Sequence, residues 1–317
     1  MMGKIAFVFP GQGSQTVGMG QDIYQENERA QQTFQTADQK LDVALSNLIF
    51  HGPQEELTIT YNAQPALLTT SYAFFTALTE AGITPDYTAG HSLGEYTALA
   101  AAGAMSFEDA VYTVRKRGEF MEQAVPNKQG SMAAILGMDR ELLADITADI
   151  TETTGETVQL ANINCPGQIV ISGTRKGVET AMVQVKEKGA KRALPLDVSG
   201  PFHSALMKPA AEQLNEVLND ISIVQADIPV ISNVTAEPIT EPADIQEKLI
   251  EQLYSPVLWE DSVKKLLDLG VDTFVEVGPG KVLGGLIKKI DRSVNIYSVS
   301  SLETLAKTIE ALKEERA

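Results

Sequence analysis

A serine and a histidine in this chain have the surroundings of a nucleophile and its base. Ser92 lies in a G-x-S-x-G motif at residues 90–94, between a weakly strand-forming segment over 87–89 and an alanine-rich, helix-prone segment over 95–104. A sharp turn between a strand and a helix lifts a serine hydroxyl clear of the backbone and leaves main-chain amides at the start of the helix. The sequence therefore predicts a nucleophile elbow at Ser92.

Few side chains in this sequence could serve as the general base for Ser92. The histidines of the chain are His51, His91 and His203. His203 follows a Pro-Phe pair at a predicted domain junction, so it is the best-placed base for an elbow serine. His91 adjoins the serine, and because neighbouring side chains at a tight turn diverge, we expect it to be structural. Asp197, Glu276 or a main-chain carbonyl could orient the imidazole of His203, and the residues alone leave these alternatives open.

The glycine-rich loop after the first predicted strand fits neither common nucleotide-binding motif. Gly11 and Gly13 begin a G-x-G pattern, but Thr16 stands where a dinucleotide fingerprint needs its third glycine. Gly13 and Gly18 have the spacing of a P-loop, but Met19 stands where the lysine is required. One cysteine, scattered histidines and no carboxylate cluster predict no metal site.

Composition places the chain in a broad class. Its 317 residues, 44% of them hydrophobic, can bury a substantial core, and the alternation of helical and strand-like stretches is typical of an α/β fold. The single cysteine, Cys165, excludes a disulfide framework and indicates a reducing compartment. No apolar run approaches the ~20 residues of a membrane span, and the run over 5–10 is too short for a signal-peptide core. We therefore expect a cytoplasmic protein.

The charge of the chain limits its partners. A formal net charge of −17 argues against general nucleic-acid binding, which needs a basic surface. Local basic clusters can still attract an anionic ligand. These clusters are Arg115-Lys116-Arg117, Lys191-Arg192 and Lys288-Lys289. Each fits a solvated surface, and an arginine in the first could instead bind a carboxylate in bidentate geometry.

The elements that would position these residues fall into two groups. Strand-like segments over 131–137, 157–164, 168–173 and 191–198, with helical segments over 139–153 and 176–188, give the order βαββαβ of a ferredoxin-like unit. The flanking chain has strand patterns at 4–9, 229–232, 273–277 and 295–298, and helical patterns through 22–49 and over 65–81, 106–123, 206–218, 243–253, 259–269 and 302–313. We predict that the first group is inserted into a larger α/β domain that resumes near residue 199.

Segments spread from the N-terminus to about residue 287 resemble one family, the malonyl-CoA:acyl-carrier-protein transacylases of bacterial fatty-acid synthesis. The matching segments are residues 7–15, 64–67, 90–96, 117–118, 164 with 166–168, 191–195, 203 with 205–207, and 277–281. Cys165 stands where members of the family often carry serine. The resemblance implies an α/β-hydrolase-like catalytic subdomain over 1–127 and 199–317, with a ferredoxin-like subdomain over 128–198.

The resemblance also implies the catalytic roles. Ser92 would be the nucleophile and His203 its base, with a main-chain carbonyl near Gln252 orienting the imidazole. The amides of Gln12 and Leu93 would form the oxyanion hole.

Substrate contacts follow from the same resemblance. Arg117 would pair with the free carboxylate of a malonyl group, while Gln64 and Met121 would line the acyl pocket. Phe202 resembles the bulky position that accompanies malonyl rather than methylmalonyl units in related acyltransferases. Acyl carrier proteins are acidic, so docking on this acidic chain needs a local basic surface. The candidates for contacts with the carrier protein or with coenzyme A phosphates are Lys191, Arg192, Lys288 and Lys289.

The implied reaction is transfer of a malonyl group from malonyl-CoA to the phosphopantetheine thiol of acyl carrier protein through a malonyl-serine ester. Exchange of one thioester for another is close to isoenergetic, so no ATP, metal or redox cofactor is expected. Three alternatives share parts of the pattern: a malonyltransferase dedicated to polyketide synthesis, a serine thioesterase or esterase, and a non-catalytic carrier-protein-binding module. The pairing of Ser92 with His203 argues against the last of these.

Overall fold

Two β-sheets organise the residues that the computed structural model describes, which are 3–125 and 130–315. The strands in chain order are β1 Lys4–Phe9, β2 Tyr87–Gly90, β3 Gly130–Leu136, β4 Val158–Cys165, β5 Gln168–Thr174, β6 Arg192–Pro195, β7 Val230–Ile231, β8 Pro238–Ile239, β9 Val271–Val277 and β10 Asn295–Val299. Helices alternate with these strands over most of the chain, so the prediction of a mixed α/β fold is confirmed.

The larger sheet has the strand order β10-β9-β1-β2-β7-β8, parallel except for the last pair. The centre of β1 is an uninterrupted apolar run because both faces of a parallel sheet are covered. Phe9 at the end of β1 is in register with Gly90 at the end of β2. The carboxyl ends of parallel strands lie at one edge, so the loop after β1 lies beside the elbow after β2.

The helices surround this sheet and cover one face of the smaller one. In chain order they are α1 Gln21–Glu26, α2 Glu28–Leu41, α3 Leu45–His51, α4 Gln54–Thr58, α5 Thr60–Glu80, α6 Gly94–Ala101, α7 Phe107–Ala124, α8 Arg140–Thr154, α9 Arg175–Glu187, α10 Lys208–Asp220, α11 Pro242–Gln252, α12 Trp259–Asp268, α13 Val282–Ile290 and α14 Leu302–Glu315, with a 3₁₀ turn at Ala205–Met207. None of the helices in the described ranges is long and apolar enough to cross a membrane.

The helical pattern through 22–49 proves to be three helices. Asn27 ends α1 in an extended conformation and caps α2, its side chain accepting a hydrogen bond from the amide of Ala30. Asp42 ends α2 in the left-handed region, at φ 52°. The amphipathic period continues across both breaks, which is why periodicity alone did not locate them.

Helix α5 begins at Thr60, earlier than the predicted start at Pro65. Proline inside a helix lacks the N–H that would bond the carbonyl four residues before it, here that of Tyr61. Nη1 of Arg115 donates to this carbonyl over 3.1 Å. A side chain from α7 thus satisfies the group that Pro65 leaves free, and the helix continues through the proline.

The smaller sheet is antiparallel, with the order β4-β5-β3-β6. Asp139 and Thr174 cap α8 and α9, and both helices contribute to an apolar core with this sheet. The strand predicted over 191–198 is too long, since β6 ends at Pro195 and the next three residues leave the sheet to line a cavity. The predicted boundary at 127/128 lies outside the described residues.

A main-chain connection joins the two sheet regions. On the edge of β4, the amide of Ile163 donates to the carbonyl of Val257 over 2.8 Å, and the amide of Val257 donates to the carbonyl of Ala161 over 2.8 Å. The segment before α12 therefore extends the small sheet by one short bridge. The sequence analysis did not identify α4, α13 or β8, which are short elements of five, nine and two residues.

Candidate active site

The turn after β2 holds Ser92 in a strained conformation. Its φ is +52°, in the left-handed region that side chains other than glycine rarely adopt. A side chain at Gly90 would lie 1.9 Å from the carbonyl carbon of Gly94, and one at Gly94 would lie 2.1 Å from the carbonyl oxygen of Phe9. Both glycines of the motif are thus required by the close approach of α6 to the strands.

Ser92 and His203 are in direct contact. The Oγ atom of Ser92 lies 2.7 Å from Nε2 of His203, and Nδ1 of His203 lies 2.8 Å from the carbonyl oxygen of Gln252. A carbonyl can only accept, so Nδ1 carries the proton and Nε2 is free to accept one from the serine. Glu276 does not orient this ring, because its carboxyl group accepts hydrogen bonds at the start of α13 instead.

The surroundings of His203 favour the neutral imidazole. Burial lowers the pKa of His203 to about 3, and the nearby charge of Arg117 acts in the same direction. The ring therefore stays unprotonated at neutral pH, the state in which it can take a proton from the serine.

Arg117 reaches the same point from α7. Its guanidinium is buried and donates from Nη1 to Oε1 of Gln64 over 2.8 Å. Nη2 donates to Oε1 of Gln252 over 3.0 Å and to Oγ of Ser92 over 3.2 Å. Its Nε atom has no partner among the described residues. Burial lowers the pKa of Arg117 from its ordinary high value, but guanidinium remains protonated in proteins.

The residues whose main-chain amides are expected to supply an oxyanion hole, Gln12 and Leu93, lie beside Ser92. Leu93 precedes the first residue of α6, and Gln12 lies in the loop after β1; both line the cavity beside Ser92. Within residues 3–125 and 130–315, neither amide donates a hydrogen bond to a protein acceptor. The side chain of Gln15 accepts from the amide of Gly13 over 2.7 Å and so holds this loop.

The cavity has a volume of about 250 Å³ and lies between the two sheet regions. Helices α5 and α7 contribute Gln64 and Met121, the segment between β6 and the 3₁₀ turn contributes Phe202, and β3 and β4 contribute Met132 and Asn162. Nε2 of Gln64 lies 3.4 Å from Sδ of Met121, so these two side chains form one wall. Asp197 also lines the cavity.

Comparison with known proteins identifies the family. A family model described as an acyl transferase domain matches residues 6–314. A malonyl CoA-acyl carrier protein transacylase of Bacillus subtilis (strain 168) is 64% identical over 314 residues, 99% of each chain. This chain belongs to the malonyl-CoA:acyl-carrier-protein transacylase family. The resemblance stated from the sequence is therefore confirmed.

Solved structures of transacylases agree with this assignment. A malonyl CoA-acyl carrier protein transacylase from Coxiella burnetii is 42% identical and matches with a TM-score of 0.95 over 98% of each chain. A malonyl-transacylase solved in complex with a type II PKS acyl-carrier protein is 41% identical and matches with a TM-score of 0.94, over 97% of this chain and 99% of that one.

Two buried residues of this transacylase site, Asn233 and Glu95, were not among the predicted site residues. Oδ1 of Asn233 accepts from the amide of Ser92 over 2.7 Å, and its Nδ2 donates to the carbonyl of Gly90 over 2.7 Å. Glu95 is wholly buried and accepts from Nε2 of Gln252 over 2.6 Å. Burial raises the pKa of Glu95 to about 8, against the lowering effects of its hydrogen bonds and Arg117. Asn233 follows a buried strand at the sheet's carboxyl edge, a signal that could have found it.

His91 has partners away from the reacting serine. Its Nε2 lies 2.9 Å from Oδ1 of Asn164, and its ring packs against that of Trp259 with 5.7 Å between centroids. Burial lowers the pKa of His91. The ring also borders the cavity, but its hydrogen bond goes to Asn164 and not to Ser92. Its contacts agree with the structural role expected for it.

The basic residues expected at a docking surface do not line the cavity. Lys191 and Arg192 are exposed at the start of β6. Nζ of Lys288 donates to the carbonyls of Arg292 and Val294 and so stabilises the chain after α13. Nζ of Lys289 lies 3.0 Å from Oε1 of Gln168 in the small sheet. The structure therefore gives Lys288 an intramolecular role that the sequence did not suggest.

Proposed function

We propose that this chain transfers a malonyl group from malonyl-CoA to the phosphopantetheine thiol of an acyl carrier protein. The observation that carries the proposal is the meeting of three groups at one oxygen: Oγ of Ser92 contacts both Nε2 of His203 and Nη2 of Arg117. A nucleophile, a base and a cation for a carboxylate are the parts that malonyl transfer needs. The names of the relatives, which are malonyl CoA-acyl carrier protein transacylases, supply the donor and the acceptor.

In the first half-reaction, Ser92 attacks the thioester carbonyl of malonyl-CoA as Nε2 of His203 takes the hydroxyl proton. The carbonyl of Gln252 holds Nδ1–H and stabilises the imidazolium that forms. The negative charge on the tetrahedral intermediate is bound by the amides of Gln12 and Leu93. The C–S bond then breaks, and His203 returns its proton to the departing coenzyme A thiolate.

Arg117 selects the acyl group. The malonyl carboxylate binds the guanidinium in place of the contact with Ser92, and the unpartnered Nε gives it a further donor. Gln64 and Met121 border this carboxylate, and Phe202 fills the space where a branching methyl would lie.

In the second half-reaction, the carrier-protein thiol attacks the malonyl-serine ester. His203 takes the thiol proton, the ester C–O bond breaks, and the proton passes to Oγ of Ser92. The product supplies extender units for fatty acid synthesis. The acyl-enzyme is the branch point with a thioesterase, since water in place of the thiol would hydrolyse the same ester.

We infer that the chain has two subdomains with distinct folds. An α/β-hydrolase-like catalytic subdomain comprises residues 1–127 and 199–317, and its parallel sheet with an elbow after β2 supports this. A ferredoxin-like subdomain comprises residues 128–198. Its support is the βαββαβ order with the third strand beside the first in the antiparallel order β4-β5-β3-β6.

Carrier-protein docking is assigned to the exposed basic residues beside the small sheet. Lys191, Arg192 and Lys289 combine positive charge with exposure on a chain of net charge −17. An acidic partner is steered toward such a local positive surface. A cytoplasmic location is inferred from the single cysteine, whose thiol is free and buried.

The test is a transfer assay with purified enzyme, malonyl-CoA and a holo acyl carrier protein, followed by the mass of the carrier protein. We expect one malonyl group on the carrier protein with wild-type enzyme and none with Ser92→Ala. Release of free malonate in place of loaded carrier would indicate a thioesterase. Parallel reactions with a fatty-acid and a type II polyketide carrier protein distinguish the two pathways, and faster loading of the fatty-acid carrier is expected.

A further inference from the structure

Gln252 forms hydrogen bonds with His203, Arg117 and Ser92. Its main-chain oxygen accepts from Nδ1 of His203, and its side-chain Oε1 accepts from Nη2 of Arg117 over 3.0 Å. Its Nε2 donates to the carbonyl of Ser92 over 2.9 Å. The side-chain amide of Gln252 must place its oxygen toward Arg117, because a guanidinium only donates hydrogen bonds. Its NH₂ group then faces the carbonyl of Ser92.

Glu95 fixes the other side of this amide. Its Oε2 accepts from Nε2 of Gln252 over 2.6 Å, a short contact, and its Oε1 accepts from the main-chain amide of Asn233 over 3.3 Å. Asn233 in turn accepts from the amide of Ser92. Each oxygen of the carboxyl group thus meets one N–H, and both N–H groups belong to residues that contact the elbow.

The charge of Glu95 also bears on the site. The hydrogen-bond partners of the buried Arg117 guanidinium are neutral groups, the side chains of Gln64, Gln252 and Ser92. Glu95 is the carboxyl group nearest to the guanidinium in this network: burial raises the pKa of Glu95, and the charge of Arg117 acts in the opposite direction and favours the ionised carboxylate. A buried cation is unfavourable without an opposite charge nearby, so the ionised form of Glu95 and the guanidinium stabilise each other, with the side chain of Gln252 bonded to both.

We propose that Glu95 is a positioning residue for malonyl transfer: its carboxyl group holds Gln252, whose side-chain oxygen bonds the guanidinium of Arg117 and whose main-chain carbonyl bonds the imidazole of His203. The inference rests on the proposed function. It differs from a purely structural role because it requires the effect of Glu95 on turnover to pass through Gln252.

The variant Glu95→Gln tests this with little change of shape. An amide offers one acceptor where the carboxyl group offers two, so one of the two N–H donors is left facing an N–H. We expect kcat for malonyl transfer to fall by about tenfold or more, the size of loss known for the hydrogen-bond partners of metal ligands, which likewise orient the groups that react. Because Arg117 and His203 are both held through Gln252, kcat should fall more than KM rises.

Glu276→Gln is the matched control. Glu276 is also wholly buried, burial also raises its pKa, and its carboxyl oxygens also accept one N–H each, from Leu283 and Gly284. These donors begin α13 and do not contact Ser92. We expect Glu276→Gln to lower the unfolding temperature about as much as Glu95→Gln while kcat stays near the wild-type value.

A double-mutant cycle tests whether Glu95 acts on kcat through Gln252. In a Gln252→Ala background, Glu95→Gln should lower kcat little further, because the amide through which it acts is gone. Additive losses, or a kcat for Glu95→Gln equal to that of Glu276→Gln, would overturn the proposal. If Glu95→Gln does not fold, Glu95→Asp withdraws the carboxyl group from Gln252, and wild-type kcat in that variant would overturn it. Absence of malonyl transfer by the wild-type enzyme would instead refute the proposed function.

Discussion

Nη2 of Arg117 donates a hydrogen bond directly to Oγ of Ser92, over 3.2 Å. The guanidinium is therefore in direct contact with the oxygen that we propose as the nucleophile. In a malonyl group the free carboxylate and the thioester carbonyl are separated by a single methylene. A carboxylate bound to this guanidinium would hold the carbonyl carbon next to Ser92, so the short distance between the two residues favours a short diacid.

The first prediction concerns the acyl group. Arg117→Ala should lower kcat/KM for malonyl transfer by orders of magnitude, because a charged partner left desolvated typically costs a few kcal/mol. Acetyl transfer should stay level or rise, since acetyl has no carboxylate to leave unpaired. The measurement is the malonyl-to-acetyl ratio of kcat/KM in wild type and variant.

Arg115→Ala is the control for this ratio. Arg115 lies on the same helix, and it bonds the Tyr61 carbonyl freed by Pro65 rather than the cavity. Its loss should lower stability and leave the ratio unchanged. An equal fall of malonyl and acetyl transfer in Arg117→Ala would make Arg117 a structural residue and place the carboxylate clamp elsewhere.

The second prediction concerns branching of the acyl group. Phe202 is 7% exposed and borders the cavity, so its ring occupies space that a methylmalonyl group would need. Phe202→Ser should raise the methylmalonyl-to-malonyl ratio of kcat/KM modestly, because one methyl group in a pocket is worth only about 1–3 kcal/mol. If the methylmalonyl-to-malonyl ratio in Phe202→Ser equals that of wild type, residues other than Phe202 exclude the methyl group.

The third prediction concerns docking of the carrier protein. Reversing both charges at Lys288 and Lys289 should lower kcat/KM for the carrier protein and weaken its salt dependence, while acylation by malonyl-CoA stays largely intact. Lys289→Glu alone is the cleaner variant, since Lys288 holds the carbonyls of Arg292 and Val294. Lys313→Glu on α14 controls for the change in net charge. Unchanged salt dependence in Lys289→Glu would exclude Lys289 from the interface.

The fourth prediction concerns pH. The pKa of His203 is about 3 in the folded chain, whereas an imidazole in the unfolded chain titrates near ~6.5. Between these values the unfolded state binds the extra proton, so stability should fall as pH drops below about 6.5, by up to about 1.4 kcal/mol per pH unit. Above that pH, His203 should make no contribution to the pH dependence of the free energy of unfolding.

Urea unfolding at about pH 7.5 and about pH 5.5 measures this effect. From about pH 7.5 to about pH 5.5, the free energy of unfolding should fall by roughly 1 kcal/mol more in wild type than in His203→Gln. The variant lacks the imidazole that is buried when folded and binds a proton when unfolded. Equal losses would show that the folded imidazole takes up its proton as readily as the unfolded one.

Local sequence signals predicted much of the fold. The run over residues 5–9 is apolar throughout and predicted a buried strand, and in the βαββαβ segment the hydrophobic period changes clearly between strands and helices. The breaks at Asn27 and Asp42 were missed because the apolar period runs across them. The early start of α5 depends on Arg115, a residue far along the chain, so no local pattern around Pro65 could show it.

The site was predictable to the extent that its residues lie in short motifs. The glycines around Ser92 and in the loop of Gln12 indicate, from the local sequence alone, that the backbone turns sharply there. Asn233 follows a strand at the carboxyl edge of the sheet, which is a local signal, but its bond to the amide of Ser92 joins residues distant in sequence. The contact of Glu95 with Gln252 has no local signal, so the part of Glu95 in the site appears only when the chain is folded. The bonds of Lys288 to nearby carbonyls likewise depend on the exact path of the chain after α13.

The central claim is that Ser92 carries the malonyl group between donor and acceptor, with His203 as its base. Intact-mass analysis after brief incubation with malonyl-CoA and no carrier protein tests it directly. Wild type should gain one malonyl group, located on the peptide that contains Ser92, and the mass should return to that of the free enzyme when holo carrier protein is added. Ser92→Ala should gain no malonyl group, and His203→Ala should become malonylated far more slowly than wild type. A malonyl group on another residue, or full-rate transfer by Ser92→Ala, would contradict the account.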